Sequence, residues 1–363
     1  MTTITRDAVE AALSGYIDPH LNTDPVRAGC LREVDIQGST VRVRLELGYP
    51  ADLFKHGWAQ TLQVALENLP GVEHAEVQVE WHIEPHRSSA QTPALANVKN
   101  VIAVASGKGG VGKSTTAANL ALALVGEGAR VGILDADIHG PSLGIMFGIA
   151  AGTHPEISGQ ALVPLQAHGV QLMSMAFLTD ERTPMVWRGP MASGALLQLI
   201  NQTAWDDLDY LIVDMPPGTG DIQLTLAQKV PVAGSVIVTT PQDLALLDAK
   251  KGIEMFYKVN ISVLGIVENM AVHICSNCGH AEHLFGTGGG EKLAEQYGVD
   301  VLASLPLSMD IRSQADAGRP TVIADPDSPL AMLYQQLARN VGARLAQNQG
   351  RAPAMPTIEI SED

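Results

Sequence analysis

Cysteine, aromatic side chains and positive charge are all scarce in this sequence. Three cysteines in 363 residues, Cys30, Cys275 and Cys278, build no disulfide framework, so the thiols are expected to be reduced. Aromatic residues make up 4%, and small and aliphatic residues must supply the packing. Lys and Arg number 23 against 39 Asp and Glu, a net charge of −16. Nucleic acids are held through basic patches on phosphates, and anionic membranes attract basic segments. Both partners are therefore disfavoured. Apolar runs such as Val236 to Val238 are strand-sized, far below the ~18 residues of a membrane span. Met1 to Glu10 is polar and carries both charge signs, unlike a signal peptide. A cytoplasmic location is expected.

Two patterned regions stand out against these absences. In residues 1–84, Asp7 to Leu13 has the spacing of a short helix. Val34 to Ile36 and Val41 to Leu47 read as a hairpin, because Val41, Val43, Leu45 and Leu47 alternate with Arg42, Arg44 and Glu46. Leu53 to Leu69 is helical, and Val77 to Ile83 alternates again. The order α-β-β-α-β predicts a small α+β domain. Pro85 to Asn97 is polar and aperiodic and is read as a linker.

From residue 98 to 346, short apolar runs alternate with helical stretches. The runs are Val101 to Ala105, Val131 to Leu134, Tyr210 to Val213, Ser235 to Thr239, Val263 to Val267 and Val301 to Leu305. Continuous apolar runs suit strands buried on both faces, so a mainly parallel, doubly wound α/β sheet is predicted. Residues 347–363 are polar and contain Pro353 and Pro356, which reads as a disordered tail.

Gly107-Lys108-Gly109-Gly110-Val111-Gly112-Lys113-Ser114-Thr115 follows the first of these runs and opens a helical stretch. Gly107, Gly112, Lys113 and Ser114 satisfy the P-loop pattern in the context it needs. Backbone N–H groups of such a turn, with the helix N-terminus, cradle phosphates. Lys113 is expected on the β- and γ-phosphates of ATP, and the Ser114 hydroxyl on Mg2+. Asp214 ends an apolar run, the expected position of a second magnesium-side carboxylate. Met215 to Asp221 reads as a movable loop after it. Asn269, after a further strand, is a candidate for the adenine edge, since an amide both donates and accepts; a plain turn asparagine is the alternative.

Cys275-Ser276-Asn277-Cys278-Gly279 places two thiols three positions apart, enough to grip one metal or cluster iron but not to complete a site. The remaining ligands come from Cys30, from His273, His280 or His283, or from a second chain. Zinc, a [4Fe–4S] cluster, a redox pair and inert thiols all remain open from the spacing alone. Cys30 reads as a small buried side chain.

The second lysine, Lys108, makes the loop resemble the deviant Walker A class. That resemblance implies a homodimer in which Lys108 reaches the partner's nucleotide; a solvated loop lysine is the alternative. It also implies that Asp135 holds magnesium waters and Asp137 positions the attacking water. Taken with Asp135 to Ser142, Trp187-Arg188-Gly189-Pro190, Asp214 to Asp221 and Glu268-Asn269-Met270 ahead of the cysteine pair, the chain resembles the Mrp/ApbC family of iron–sulfur carrier ATPases. The resemblance runs from about residue 5 to 345. It implies ATP hydrolysis, a labile [4Fe–4S] cluster on Cys275 and Cys278 between two subunits, and transfer to apoproteins, with iron–sulfur assembly scaffolds as further partners. The N-terminal region resembles a small iron–sulfur assembly domain. It carries Gly48-Tyr49-Pro50-Ala51-Asp52 where such domains often have a reactive cysteine, so a docking role is expected. Two other expectations compete: a positioning ATPase of the MinD/ParA kind, and a zinc-bound scaffold. The acidic end Ile358 to Asp363 offers no basic membrane anchor for the former.

Overall fold

Residues 4–86, 93–178, 189–275 and 277–349 are described in a computed structural model. The first unit opens with helix α1 (Arg6–Leu13), capped by Thr5, whose hydroxyl accepts the Ala8 N–H. Strands β1 (Leu31–Gln37) and β2 (Thr40–Leu47) form an antiparallel hairpin. Gly38 sits at its turn with φ of 63°, in the left-handed region that a two-residue hairpin turn demands. Helix α2 (Lys55–Glu67) and strand β3 (His74–Trp81) follow, with β3 parallel to β2. Alternation along β2 sorts its faces. Val41, Val43, Leu45 and Leu47 join Val9, Leu13, Leu62 and Leu66 in a core. Arg42 and Arg44 lie outside, paired with Asp35, Glu76, Glu33 and Glu80. Strand β3 begins and ends earlier than its alternation predicts, because it pairs along the length of β2 from Thr40 to Leu47.

The second unit runs β4 (Val98–Ala105), α3 (Lys113–Gly126), β5 (Val131–Asp135), α4 (Leu143–Met146), β6 (Ile157–Ser158), β7 (Ala161–Leu162), β8 (Leu165–Ala167), β9 (Val170–Ser174), α5 (Gly189–Gln202) and β10 (Leu208–Asp214). It continues through α6 (Asp221–Lys229), β11 (Val232–Thr239), α7 (Asp243–Lys258), β12 (Val263–Glu268), β13 (His273–Ile274), β14 (Ala281–Glu282), α8 (Gly289–Tyr297) and β15 (Val301–Ser304). Helices α9 (Met309–Asp316), α10 (Thr321–Ala324) and α11 (Pro329–Gln349) close it. The main sheet is ordered β15-β12-β11-β4-β10-β5-β9-β8. All neighbours are parallel except β8, which runs against β9. The six expected strands are present. Strands β8 and β9 were not legible, since Gln166 and Gln171 interrupt short runs at the sheet edge. Later strands lie on both sides of β4, which makes its C-terminal end the crevice where such sheets bind ligands.

The two units share helix α11. Its Tyr334, Leu337, Val341 and Leu345 belong to the core of the large sheet, while Ala343 belongs to that of the small one. Gly342 lets the helix approach: a Cβ there would lie 2.9 Å from that of Tyr49. His20 Nδ1 lies 2.7 Å from the Asn340 side-chain oxygen. Arg339 is ion-paired with buried Glu127 just past α3, and Glu127 also accepts the Leu53 N–H at 3.0 Å. Burial raises the Glu127 carboxyl above its ordinary range and lowers the His20 imidazole.

The linker is anchored at both ends, for Ile83 and Leu95 are buried in the larger core. The first residues of the expected tail are helical. Helix α11 continues to Gln349, with Gln347 donating to the Leu21 carbonyl and Gln349 to Asn100, each at 2.7 Å. Residues 350–363 lie outside the described residues, as do Trp187 and Arg188.

Candidate functional site

The loop between β4 and α3 owes its shape to glycine. Gly110 and Gly112 have φ of 82° and 80°, where a side chain is strained. Gly107 packs against helix α7, and a Cβ on it would overlap the Asp248 backbone. The Ser106 hydroxyl donates to the Lys108 carbonyl at 2.9 Å. Gly109 and Gly110 are exposed at the tip, and Val111 is buried beneath them. Helix α3 starts at Lys113, so its free N–H groups face the loop. Ser114 and Thr115 lie half-buried in its first turn.

Lys113 is buried and ion-paired with Asp214, which is fully buried at the end of β10; Lys113 Nζ also lies 3.2 Å from the Ser114 hydroxyl. Asp214 and Asp135 are register partners on β10 and β5. Two buried carboxylates side by side repel when charged. Burial, with the neighbouring Asp214, pushes the Asp135 carboxyl up to about 7. Burial also raises Asp214, against the pull of Lys113. Asp135 is oriented by the Ser142 and Leu143 N–H groups at 3.0 and 3.2 Å. The second oxygen of Asp214 is buried with no hydrogen-bond partner. A buried carboxylate oxygen left bare costs free energy that a hard cation recovers. Together with the Ser114 hydroxyl, the donor set fits Mg2+.

Asp137 stands two residues beyond Asp135, half-buried, with its carboxylate accepting the Gly140 N–H at 3.2 Å. The loop after Asp214 is tied back to the phosphate loop, since the Gly218 N–H donates to the Ser106 carbonyl at 3.0 Å. Buried Gln223 also holds this loop, donating to the Pro216 carbonyl. No local pattern announces that contact, because a helical glutamine usually faces solvent. Lys108 folds towards α7, 3.4 Å from the Gln242 side chain. Asn269 is buried beside the loop, and its amide donates to the Val111 carbonyl at 2.8 Å. One N–H is thus engaged, and an amide has another N–H and a carbonyl for a base edge.

The cysteine pair lies on the turn between the two-residue strands β13 and β14. The Cys275 N–H donates to the His280 carbonyl at 2.9 Å and the Gly279 N–H to the Cys275 carbonyl at 2.8 Å, closing the turn. Cys278 is exposed and Cys275 half-exposed. The backbone N–H groups of Cys278 and Asn277 point at the Cys275 sulfur and lower its pKa, favouring the thiolate that metals bind. Of the other expected ligand sources, Cys30 is turned elsewhere, and two of the histidines each spend one ring nitrogen on the backbone. His273 and His283 have Nδ1 on the Leu307 and Ala271 carbonyls, at 3.4 and 2.8 Å. Cys30 is buried in the core of the small unit, and burial pushes its thiol up to about 11. Among the described residues, no group of three His, Cys, Asp or Glu is placed to hold a metal ion. No described helix is long and apolar enough to cross a membrane.

Residues 97–342 match a family model described as the NUBPL iron-transfer P-loop NTPase, and residues 6–79 match one for an iron–sulfur cluster assembly protein. The iron–sulfur cluster carrier protein of Pseudomonas fragi is 76% identical over 285 residues, 78% of this chain and 99% of that protein. The protein of the same name from Escherichia coli is 48% identical over 340 residues, 94% of this chain and 92% of that one. A nucleotide-binding protein from Archaeoglobus fulgidus, solved with ADP, is 38% identical with a TM-score of 0.58, covering 66% of this chain and 94% of that one. The cell-division ATPase MinD of Pyrococcus furiosus, at 23% identity and a TM-score of 0.51, is alike in fold alone. With its phosphate loop, paired carboxylates and thiol pair in the matched region, the chain belongs to the NUBPL iron-transfer P-loop NTPase family.

Proposed function

We propose that this protein binds and hydrolyses ATP, holds a [4Fe–4S] cluster on Cys275 and Cys278 between two copies of the chain, and passes it to apoproteins in the cytoplasm. The observation that carries the proposal is the incomplete thiol pair. Two thiols are presented on one turn, and among the described residues no third ligand stands with them. Two such turns, one from each copy, supply the four thiolates of a cluster. The names of the relatives from Pseudomonas fragi and Escherichia coli support the same cargo.

Mg2+ would be held by Ser114 and, directly or through water, by Asp135 and Asp214; it would neutralise charge on the phosphate oxygens. The chain's own residues do the rest. Lys113 exchanges its pairing with Asp214 for the β- and γ-phosphates. The N–H groups from Gly109 to Thr115 cradle the phosphate oxygens, and Asp137 orients the attacking water. Lys108 crosses to the partner's nucleotide, and the free part of the Asn269 amide reads the adenine edge.

The test is anaerobic reconstitution with iron and sulfide. A thiolate-ligated cluster gives a broad band near ~400 nm and about four irons per dimer, both lost when Cys275 and Cys278 are replaced. Zinc bound at the same thiols, with no band, would replace the carrier by a zinc scaffold.

A further inference from the structure

Only five residues lie between Asn269, beside the phosphate loop, and Cys275, on the cysteine turn. Both ends of this stretch, and its middle, are fastened. At the loop end, the Asn269 amide donates to the Val111 carbonyl at 2.8 Å. That contact needs Gly112, because a Cβ there would overlap the Asn269 amide nitrogen. Next comes Met270, with φ of 57°, a left-handed conformation costly for a side chain with a Cβ. It turns the chain sharply out of β12. The Ala271 N–H then donates to the Leu305 carbonyl at 2.9 Å, and the Leu307 N–H to the Val272 carbonyl at 2.8 Å. At the far end, His283 reaches back from beyond β14 and places Nδ1 2.8 Å from the Ala271 carbonyl. A carbonyl only accepts, so Nδ1 carries the proton. The root of the hairpin is thereby clamped to the residue that follows Met270.

The Val111 carbonyl and the Gly112 N–H belong to one planar trans peptide unit. Turning that N–H towards a phosphate therefore sets the direction of the carbonyl that Asn269 holds. We propose that Asn269 is a positioning residue that couples nucleotide in the phosphate loop to the orientation of the cysteine hairpin, with the His283 clamp on Ala271 relaying the movement. This rests on the nucleotide half of the proposed function and needs no cluster. Filling the loop reorients one peptide plane, Asn269 follows it, and the strained turn at Met270 carries the change to Ala271 and the hairpin.

The experiment uses the full-length, cluster-free, reduced protein. Iodoacetamide alkylation rates of Cys275 and Cys278 are followed by mass spectrometry with and without saturating Mg-ATP, and ATP affinity is titrated separately. Buried Cys30 serves as the internal control for unfolding. In the wild type, ATP is expected to change the alkylation rate by about fivefold or more, the lower end of typical site-to-site coupling. His283→Ala keeps ATP affinity and loses the response. His283→Asn, which restores a donor in place of Nδ1, recovers it. Asn269→Ala loses the response as well. Equal rates with and without ATP in a wild type that binds ATP would overturn the coupling and leave the proposed function standing; so would a full response in His283→Ala. A wild type that does not bind ATP would overturn both.

Discussion

The phosphate loop and the cysteine hairpin are neighbours built to opposite specifications. The loop is held from several sides: by Ser106 on the Lys108 carbonyl, by Asn269 on that of Val111, and by the α7 backbone against Gly107. Its charged partners Lys113, Asp135 and Asp214 are all buried. The hairpin has two strands of two residues each, and Ile274 at the end of β13 and Leu284 just past β14 are 54% and 50% exposed. The nucleotide site gathers its loop, Lys113 and both carboxylates within one chain, whereas the thiol pair has, among the described residues, no third ligand beside it. A tight cradle suits a ligand whose negative charge must be gripped and released by small changes in geometry. An open, two-ligand turn suits a cargo that must leave.

Four variants probe this contrast. The largest effect is expected from Cys275→Ser with Cys278→Ser. Reconstituted protein should lose the cluster band entirely while its ATP affinity, measured by calorimetry, stays that of the wild type. A fall in ATP affinity would mean that the hairpin is part of the nucleotide site. Arg339→Ala touches neither region and leaves Glu127 buried without its partner. Unfolding free energy from denaturant titration should drop by about 3–5 kcal/mol, with ATP binding and cluster loading retained in the folded fraction. Gly107→Ala attacks the cradle alone. Its Cβ meets backbone of α7 that no rotamer change relieves, so ATP affinity should fall about 100-fold, or about 2.7 kcal/mol. An affinity within tenfold of wild type would show that the cradle yields. The smallest effect belongs to Arg42→Ala. Its pairs with Asp35 and Glu76 are half-exposed, so stability should stay within about 0.5 kcal/mol of wild type, and a loss like that of Arg339→Ala would refute the ranking.

Much of this was legible in the residues because the signals are local. The Gly-rich loop, the alternation of β2 and the continuous apolar runs each sit within a few consecutive positions. The six strands expected from those runs were found for that reason, although β15 at the sheet edge buries only Leu302. The thiol pair was visible too, but the hairpin that presents it was not, since strands of two residues have no periodicity to detect. What depends on distant pairing was hidden. Nothing in the sequence near His20 announces Asn340, and nothing at Gly342 announces Tyr49. The last turn of α11 is hidden for the same reason: Gln347 and Gln349 look like solvated residues until Leu21 and Asn100 are brought beside them. Asn269 was read as a base-recognition residue from its strand-end position. Its bond to Val111 is a property of the folded loop alone.

Helix α11 has a consequence for anyone who would exchange parts. The polar linker invites a cut between the small unit and the large one. Such a cut would strip Tyr49 from Gly342, leave Ala343 without the core it fills, and remove the Leu53 N–H from Glu127. A chimera that replaces residues 1–84 alone would inherit a socket shaped for a different plug. Moving the seam ahead of Pro329 only relocates the break, since Tyr334, Leu337, Val341 and Leu345 of the same helix fill the core of the large sheet, so the two units exchange well only as one piece.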